Sequence, residues 1–484
     1  MSKHYVLKGV LVMAVYVLIF ASLSYAADEK GKIPITTSSE EALTYFLQGR
    51  DIFEKLRAQE SLQFLEKAIT ADPDFAMCYL YFSLAQPSAK GFFEQLNKAV
   101  ALVEKVSEGE RLWILGLQAG VNGDPMKQKE YYKKLVATYP NDERAHNLLG
   151  GYYFGQQKYA LAIEEYNKAT KINPNFSQPY NQLGYANRFL EKYKDAEDAF
   201  KKYIQLIPDD PNPYDSYAEL LLKIGKYDES IKYYKKALTV NPNFVASHIG
   251  IATNLNYQRK HVDARKQLMK LYDITRNDGE RRQTHFATAV SYVDQGKFDS
   301  ALEELEKQYA LAEKINDAAA MAGDLGIMGN ILLEIKKYDQ AEAKFKKSVQ
   351  LIEGSNLAEE VKNNARRNFL FNAARVALKK KDLVTAKAKA KEFRKQVEAQ
   401  KNTFQIWLSH QIAGMIALEE KAFDKAVAEF QQANLQNPYN LYKLSLAFKG
   451  KGDKVKAKEF FTKAINYNGL NSLNNAFVRF KTQK

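Results

Sequence analysis

The sequence predicts an all-α protein in which antiparallel helix pairs stack side by side into a solenoid. Two observations support this. Each repeating unit carries two stretches whose apolar residues recur at three- and four-residue spacing, as in two amphipathic helices. Because one such pair cannot bury its apolar face alone, neighbouring pairs must stack. The units themselves keep a constant length, since their closing prolines recur every 34 residues, at Pro140, Pro174, Pro208 and Pro242.

Small residues stand where the two helices of a unit would cross. Gly150, Ala162 and Ala169 have counterparts in the next two units, and small side chains there let antiparallel backbones approach closely. Segments such as 173–175 (Asn-Pro-Asn) would end one helix and begin the next. A small eighth residue, an alanine at position twenty and a closing proline resemble the tetratricopeptide repeat. This resemblance implies a right-handed superhelix whose first helices line a concave groove.

The units lengthen after Phe244, and together they predict about a dozen helix pairs. We expect an N-terminal half at 42–278, a C-terminal half of longer units at 279–468, and a capping tail at 469–484. A hinge or subdomain boundary is expected near 277–279. The second unit, about 76–108, is degenerate, and irregular helices are expected there because of Pro87 and Gly91. The small twentieth residue continues through Ala264, Ala301, Ala341, Ala386, Ala426 and Ala457.

The N-terminus predicts export. Lys3 and Lys8 precede an apolar run at 10–23, and Ser-Tyr-Ala at 24–26 provides a small-x-small cleavage signal. We therefore predict a signal peptide at 1–26, a linker at 27–41, and a periplasmic or extracellular protein. The alternative is an uncleaved membrane anchor, but the run falls short of the roughly 20 residues that span a bilayer.

The stretch 44–150 also resembles the repeat tails of bacterial Ser/Thr kinases, adenylate cyclases and transcriptional regulators. The resemblance is carried by residues 45–50, by 65–69 with Asp72-Pro73, and by Glu110-Arg111. The catalytic or DNA-binding domain of those proteins has no counterpart here, because repeats occupy the rest of the chain. Only an accessory or scaffold role is implied.

The sequence contains no evident catalytic constellation, and we predict no enzyme activity, no cofactor and no metal. Cys78 should pack as a small apolar residue. Three glycines on one helix lack the preceding strand of a phosphate loop and should instead permit close helix contact. A catalytic site in the degenerate second unit is the alternative. The histidines are scattered without metal-ligand spacing, at His146, His248, His261, His285 and His410, and the three glycines are Gly323, Gly326 and Gly329.

The family resemblance also implies which residues face the groove, namely those at positions two, five, nine, twelve and thirteen of each unit. Asparagine amides there can bond a peptide backbone, and aromatic rings supply contact area. The lysine–asparagine clamp for a C-terminal carboxylate is missing, since Asn147 and Gly151 occupy its positions. The predicted groove residues are Arg144, Asn147, Phe154, Gln178, Asn181, Tyr185, Arg188, Phe189, Asn212, Asp215, Glu219, Asn256 and Tyr257.

The chain carries a formal net charge of +14, and part of this excess is local to the C-terminal half. It indicates either a solvated helix face or a patch for an anionic partner. Nucleic acid is excluded as a partner for an exported chain. We predict an exported scaffold that binds a protein or peptide as an accessory to an envelope assembly, with an anionic envelope polymer or membrane surface as the alternative partner. The patch residues are Arg366, Arg367, Arg375, Lys379, Lys380 and Lys381.

Overall fold

The computed structural model describes residues 31–482, and every regular element within that range is helical. A short 3-10 turn, Val103–Lys105, follows the fourth α-helix. The α-helices, numbered in chain order, are α1 (Glu40–Glu54), α2 (Ala58–Ala71), α3 (Ala76–Ala85), α4 (Ala89–Ala101), α5 (Glu108–Val121), α6 (Pro125–Thr138), α7 (Glu143–Gly155), α8 (Tyr159–Ile172), α9 (Ser177–Phe189), α10 (Tyr193–Leu206), α11 (Pro211–Lys223), α12 (Tyr227–Val240), α13 (Val245–Tyr257), α14 (His261–Asp273), α15 (Asp278–Gln295), α16 (Phe298–Glu313), α17 (Ala318–Glu334), α18 (Tyr338–Glu353), α19 (Glu359–Lys379), α20 (Leu383–Gln400), α21 (Thr403–Glu419), α22 (Phe423–Gln432), α23 (Pro438–Lys451), α24 (Lys454–Ile465) and α25 (Leu473–Thr482).

The helices form twelve consecutive pairs, units 1 to 12, followed by α25. Each helix packs most extensively on its pair partner and then on the neighbouring unit. First helices of adjacent units also touch, as α11 does with α13 and α19 with α21, so the first helices form an inner layer and the second helices an outer one. The predicted solenoid of about a dozen stacked helix pairs is confirmed.

Glycine at the eighth position makes room for an aromatic ring from the second helix of the same unit. Gly150 faces the ring of Tyr166, and Gly184 faces that of Phe200. Both rings are fully buried, and a Cβ atom at either glycine would collide with them. The small residues therefore set the distance between paired helices, as the sequence predicted.

The second unit folds as a regular helix pair, so the prediction of irregular helices there was wrong. Pro87 lies in the connection between α3 and α4, where a missing backbone donor costs little. Gly91 falls in the first turn of α4, and its backbone N donates to the N-cap Ser88. The two helix-breaking residues stand at the ends of the helices, and α3 is simply short.

The segment 31–39, within the predicted linker, is packed against the solenoid. The Glu110 carboxylate accepts hydrogen bonds from the Thr36 backbone N (2.8 Å) and hydroxyl (2.6 Å). Asp142, the N-cap of α7, accepts from the Ile33 backbone N (2.9 Å), and Asp72 accepts from the Thr37 hydroxyl. The predicted signal peptide and its cleavage site lie outside the described residues. Between residues 31 and 482, no helix is long and apolar enough to cross a membrane.

Successive turns of the solenoid touch. The Asn277 amide donates to Gln59 (2.9 Å), and the Lys90 backbone N donates to Asp317 (3.2 Å). Further along, the Asn364 amide donates to the Asn122 carbonyl (3.1 Å). Units 1 to 3 therefore meet elements that follow them by about seven units, and the predicted boundary near 277–279 lies at this contact between turns.

Candidate functional site: the inner face

The structure places all thirteen predicted groove residues on first helices and brings many of them together in pairs. The Asn147 amide donates to Gln178 on the next first helix (2.8 Å). The guanidinium of Arg188 donates to Glu219 on the following one (3.0 Å). Each of the thirteen is buried or half-buried. Much of their polar capacity is thus used to join neighbouring units.

Other predicted groove residues form further hydrogen bonds between neighbouring first helices, and together these bonds are called the ladder. Asn181 donates to Asn212 (3.4 Å), and Asp215 accepts a hydrogen bond from the Ser247 hydroxyl (2.6 Å). Burial, together with the nearby Glu219 carboxylate, raises the pKa of Asp215 to about 8. An acid with so raised a pKa is held in its neutral form at pH 7.

Arg144 reaches across the inner face to the first unit. Its guanidinium donates to both carboxylate oxygens of Glu54, at 2.7 and 2.9 Å, and lies over the Phe176 ring. Tyr81 of the second unit donates to the same carboxylate (3.1 Å). The bidentate ion pair and the tyrosine hydrogen bond therefore join units 1, 2 and 4.

Aromatic residues form a second cluster on this face. The rings of Phe154 and Phe189 lie edge to face with centroids 5.7 Å apart, and Tyr159 stacks on Phe189 at 4.9 Å. Tyr185 lies one turn before Phe189 on α9, and its hydroxyl donates to Glu219 (3.0 Å). Three of these four were predicted as groove residues, and Tyr159 was not.

The chain's own C-terminal segment, residues 466–482, lies on the inner face. The Tyr257 hydroxyl accepts a hydrogen bond from the Gly469 backbone N (2.8 Å). Arg479 lies over the Tyr257 ring and donates to the buried Asp294 (2.6 Å), while Lys481 pairs with Glu334 (2.5 Å). The segment is held by backbone contacts, ring contacts and ion pairs in succession.

Four of the residues that contact this segment share one position in the repeat: Lys223, Tyr257, Asp294 and Glu334. Each stands at position thirteen, seven residues before the small residue of the second helix. Lys223 begins the covered part, with its ammonium 3.8 Å from the Tyr467 ring centroid, and Glu334 ends it. The sequence analysis named only the first and third members, and extending the register into the longer units would have found the others. The row consists of Phe189, Lys223, Tyr257, Asp294, Glu334, Lys379 and Glu419.

Helix α25 therefore does more than a capping helix would. It packs on α23 and α24 of the last unit, as the predicted capping tail should, but its most extensive contact is with α15 of unit 8. The rings of Phe298 and Phe480 meet edge to face there, with centroids 4.9 Å apart. The segment thus joins the last unit to units 6 to 9.

Part of the inner face is open. No heavy atom lies within 4 Å of a Cβ built at Gly323 or Gly326, whereas one built at Gly329 would collide with the Phe345 ring. The prediction of close helix contact is therefore confirmed for Gly329 and wrong for the other two. Gly323 and Gly326, at repeat positions two and five, therefore leave a gap in the layer of side chains on α17.

The six predicted patch residues do not share one exposed face. Lys380 pairs with Asp339 and Glu342, and Lys381 pairs with Glu419. Lys379 has no carboxylate within ion-pair distance among residues 31–482. The three arginines are also engaged: Arg366 with Glu353 and Glu359, the buried Arg367 with Gln405 (3.0 Å), and Arg375 with Asn330 (2.7 Å).

Two of the predicted histidines are bonded to a carboxylate within their own units. His146 contacts Glu165 (2.6 Å), and His285 contacts Glu304 (2.7 Å), in each case joining the first helix to the second. Cys78 is buried in the core of the first units, as predicted, and burial raises the pKa of its thiol. Across the described range, no three His, Cys, Asp or Glu side chains are grouped so that they could hold a metal ion.

Models of the tetratricopeptide repeat match the chain at residues 151–187, 177–210, 218–244 and 438–469. These stretches are tetratricopeptide repeats. The matches fall in units 4 to 6 and unit 12, where the chain keeps the short unit length. No curated protein is a significant match to the whole sequence.

Several solved structures match the chain at low sequence identity. A tetratricopeptide repeat protein from Parabacteroides merdae is 18% identical, with a TM-score of 0.37, over 53% of this chain and 97% of its own. YrrB, described as having an unusual peptide-binding site, is 18% identical, with a TM-score of 0.26, over 37% and 91%. The Cut9–Hcn1 structure is 13% identical, with a TM-score of 0.40, over 90% and 77%. The likeness is one of fold.

Proposed function

We propose that this protein is a non-catalytic scaffold that binds a segment of a partner protein on its inner face. One observation carries the proposal: the inner face already holds a polypeptide segment, residues 466–482. Tyr257, Asp294 and Glu334 bind that segment through its backbone and its cationic side chains. A face that binds one segment by these means has the chemistry to bind another.

The partner segment would lie beside residues 466–482, over the gap in α17. Gly323 and Gly326 leave room there, and Asn330 continues the same face at position nine. Rigid first helices joined by the ladder of hydrogen bonds would present this surface without rearrangement, which reduces the entropy lost on binding.

The test is a pull-down from a cell-envelope fraction with the protein starting at Ala27. Gly326→Leu fills the gap, and Ala343→Leu places the same leucine side chain at an exposed position of the outer helix α18 as a matched control. We expect a partner that the wild type and Ala343→Leu retain and Gly326→Leu loses. Equal capture by all three proteins would contradict binding over α17.

We also propose that the protein is exported and serves an envelope assembly. The support is the basic, apolar and small-x-small succession at residues 3–26. The mass of the protein isolated from cells tests this, since cleavage after Ala26 leaves a chain that begins at Ala27. An intact N-terminal methionine on a protein found in the cytoplasmic fraction would overturn it.

The alternative, a receptor for an anionic envelope polymer or membrane surface, has less support. Arg366, Lys380 and Lys381 already pair with carboxylates, and Arg367 is buried. Repeating the pull-down at low and moderate salt separates the two hypotheses. Capture of a polymer that collapses with salt and is indifferent to Gly326→Leu would favour the alternative.

A further inference from the structure

We infer that Lys379 and Lys443 form a binding site for an anionic group, and that this group is an Asp or Glu carboxylate of the partner segment. The site lies at the end of the inner face that residues 466–482 leave uncovered. The identification of the anion as part of a polypeptide rests on the proposed function, whereas the anion site itself does not.

The site is a cavity of about 310 Å³ between the ends of α17, α19 and α21 and the side of α23. Its apolar walls include Leu378, Met415 and Leu418. Tyr338, four lysines and a single carboxylate complete the lining; the charged residues are Lys336, Lys379, Lys381, Lys443 and Glu419.

The carboxylates around the cavity are already engaged. Glu419 pairs with Lys381, and Glu334 accepts from Lys481 (2.5 Å) and from the Tyr439 hydroxyl (2.6 Å). In the part of the chain that the structure describes, neither Lys379 nor Lys443 has a carboxylate within 4.0 Å. The two lysines therefore line the cavity without a direct ion pair, and the nearby Glu334 and Glu419 carboxylates are bonded to other groups.

This arrangement holds like charges together where water is scarce. Burial and the nearby Lys379 and Lys481 lower the pKa of Lys443 to about 8, against the opposing effect of Glu334 and Glu419. Burial likewise lowers the pKa of Lys379; Glu334 and Glu419 oppose this shift, and Lys481 and Arg375 add to it. Partly buried cations without a direct ion pair are costly, and a bound anion would offset the cost.

Helix dipoles explain part of this cluster but not all of it. Lys336 and Lys381 follow the ends of α17 and α19, and Lys379 is the last residue of α19, where a cation is favourable. Lys443 lies in the second turn of α23, far from its C-terminal end, and gains nothing from the dipole. Its ammonium lies 5.4 Å from the centroid of the Tyr439 ring.

The neighbouring contacts indicate that the anion arrives on a polypeptide. Two acidic residues at position thirteen, Asp294 and Glu334, bind cationic side chains of residues 466–482. The next member of the row is Lys379, and its charge is reversed. A partner segment lying along the same row would complement Lys379 and Lys443 with carboxylates, because opposite charges fix register at such interfaces.

A direct test measures binding of fluorescein-labelled hexaglutamate to the full-length protein by anisotropy. Lys379→Gln/Lys443→Gln removes two charges from the cavity, and Lys346→Gln/Lys391→Gln removes two exposed charges from the outer helices α18 and α20. We expect the cavity variant to lose affinity by about tenfold or more and the control to stay near wild type. Equal affinity of both variants would overturn the site.

Two further arms keep the test decisive. Lys379→Arg/Lys443→Arg keeps both charges and should retain binding, so a loss there with intact helical circular dichroism contradicts a charge-based site. Wild-type affinity should also fall several-fold from pH 7 to pH 9, since Lys443 loses its proton in that window. A flat profile would oppose its role. Binding of inorganic phosphate without binding of hexaglutamate would overturn the assignment to a carboxylate.

The peptide assay needs no natural partner, so its outcome is separate from that of the pull-down. Hexaglutamate binding with no partner captured would support the anion site and leave the scaffold proposal without support. Capture that depends on Gly326 with no hexaglutamate binding would do the reverse.

Discussion

At the scale of single residues, three glycines of α17 have two different roles. Gly329 stands where the paired helices cross, and a Cβ there would lie 2.5 Å from the Phe345 ring. Gly326, one turn earlier, faces open space. The same residue type serves close packing at one position and leaves room on the inner face at the other.

Alanine substitution should separate these roles by the sign of its effect. Gly329→Ala should lower the free energy of unfolding by about 1–3 kcal/mol, because the added methyl overpacks the crossing. Gly326→Ala should raise it by up to about 1 kcal/mol, because alanine favours the helix and meets nothing. Denaturant titration of both variants measures this, and two changes of the same sign would contradict the assignment.

Asp215 predicts a pH dependence. Its folded-state pKa of about 8 lies above the roughly 3.9 of an unfolded aspartate, so between these values the folded state holds a proton that the unfolded state has lost. Wild-type stability should therefore decrease as the pH rises from about 4 to 8. Asp215→Asn keeps an acceptor for Ser247 and should raise the melting temperature at pH 8 more than at pH 5. The exposed Asp209→Asn should follow the wild-type profile; an identical profile for Asp215→Asn would refute the prediction.

At the scale of elements, the sequence predicted the helix pairs well because each depends on residues of its own unit. It also held an unused signal for the ladder: Asn147 with Gln178 and Arg188 with Glu219 are complementary pairs 31 residues apart. The position of α25 could not be predicted from the sequence. The Tyr257–Gly469 bond joins residues 212 apart, and such a contact leaves no periodic trace.

Helix α25 should depend on its buried ion pair. Asp294 is fully buried, and Arg479→Ala would leave its carboxylate without the guanidinium. Removing one partner of such a buried pair typically costs about 3–5 kcal/mol of folding stability. We expect faster hydrogen exchange throughout 466–482, including the amide of Gly469. Lys463→Ala removes an exposed ion pair of α24 and should change little. Unchanged protection in Arg479→Ala would contradict the docking described here.

At the scale of the whole molecule, adjacent turns meet through polar groups that leave little space. A Cβ at Gly279 would lie 2.5 Å from the Pro87 carbonyl oxygen of the preceding turn. Arg276 beside it pairs with Glu60 (3.2 Å) in the same contact. Hydrogen bonds and exposed ion pairs of this kind contribute modestly, so the spacing between turns should be easy to change.

A wedge between the turns tests this. Gly279→Leu should increase the radius of gyration measured by small-angle X-ray scattering while leaving the helical content intact. Gly354→Leu, at an exposed connection after α18, should leave the radius unchanged. Equal radii for the two variants would mean that the turns do not rest on each other at Gly279.

Residues 466–482 are synthesised after the units that they cover. Units 6 to 9, which the segment covers, leave the ribosome long before it does, and each can stack on its predecessor as it emerges. Lys223, Tyr257, Asp294 and Glu334 therefore stay uncovered until residues 466–482 have been made. A partner present during translation meets this surface before the segment can, whereas one that arrives later meets it already covered.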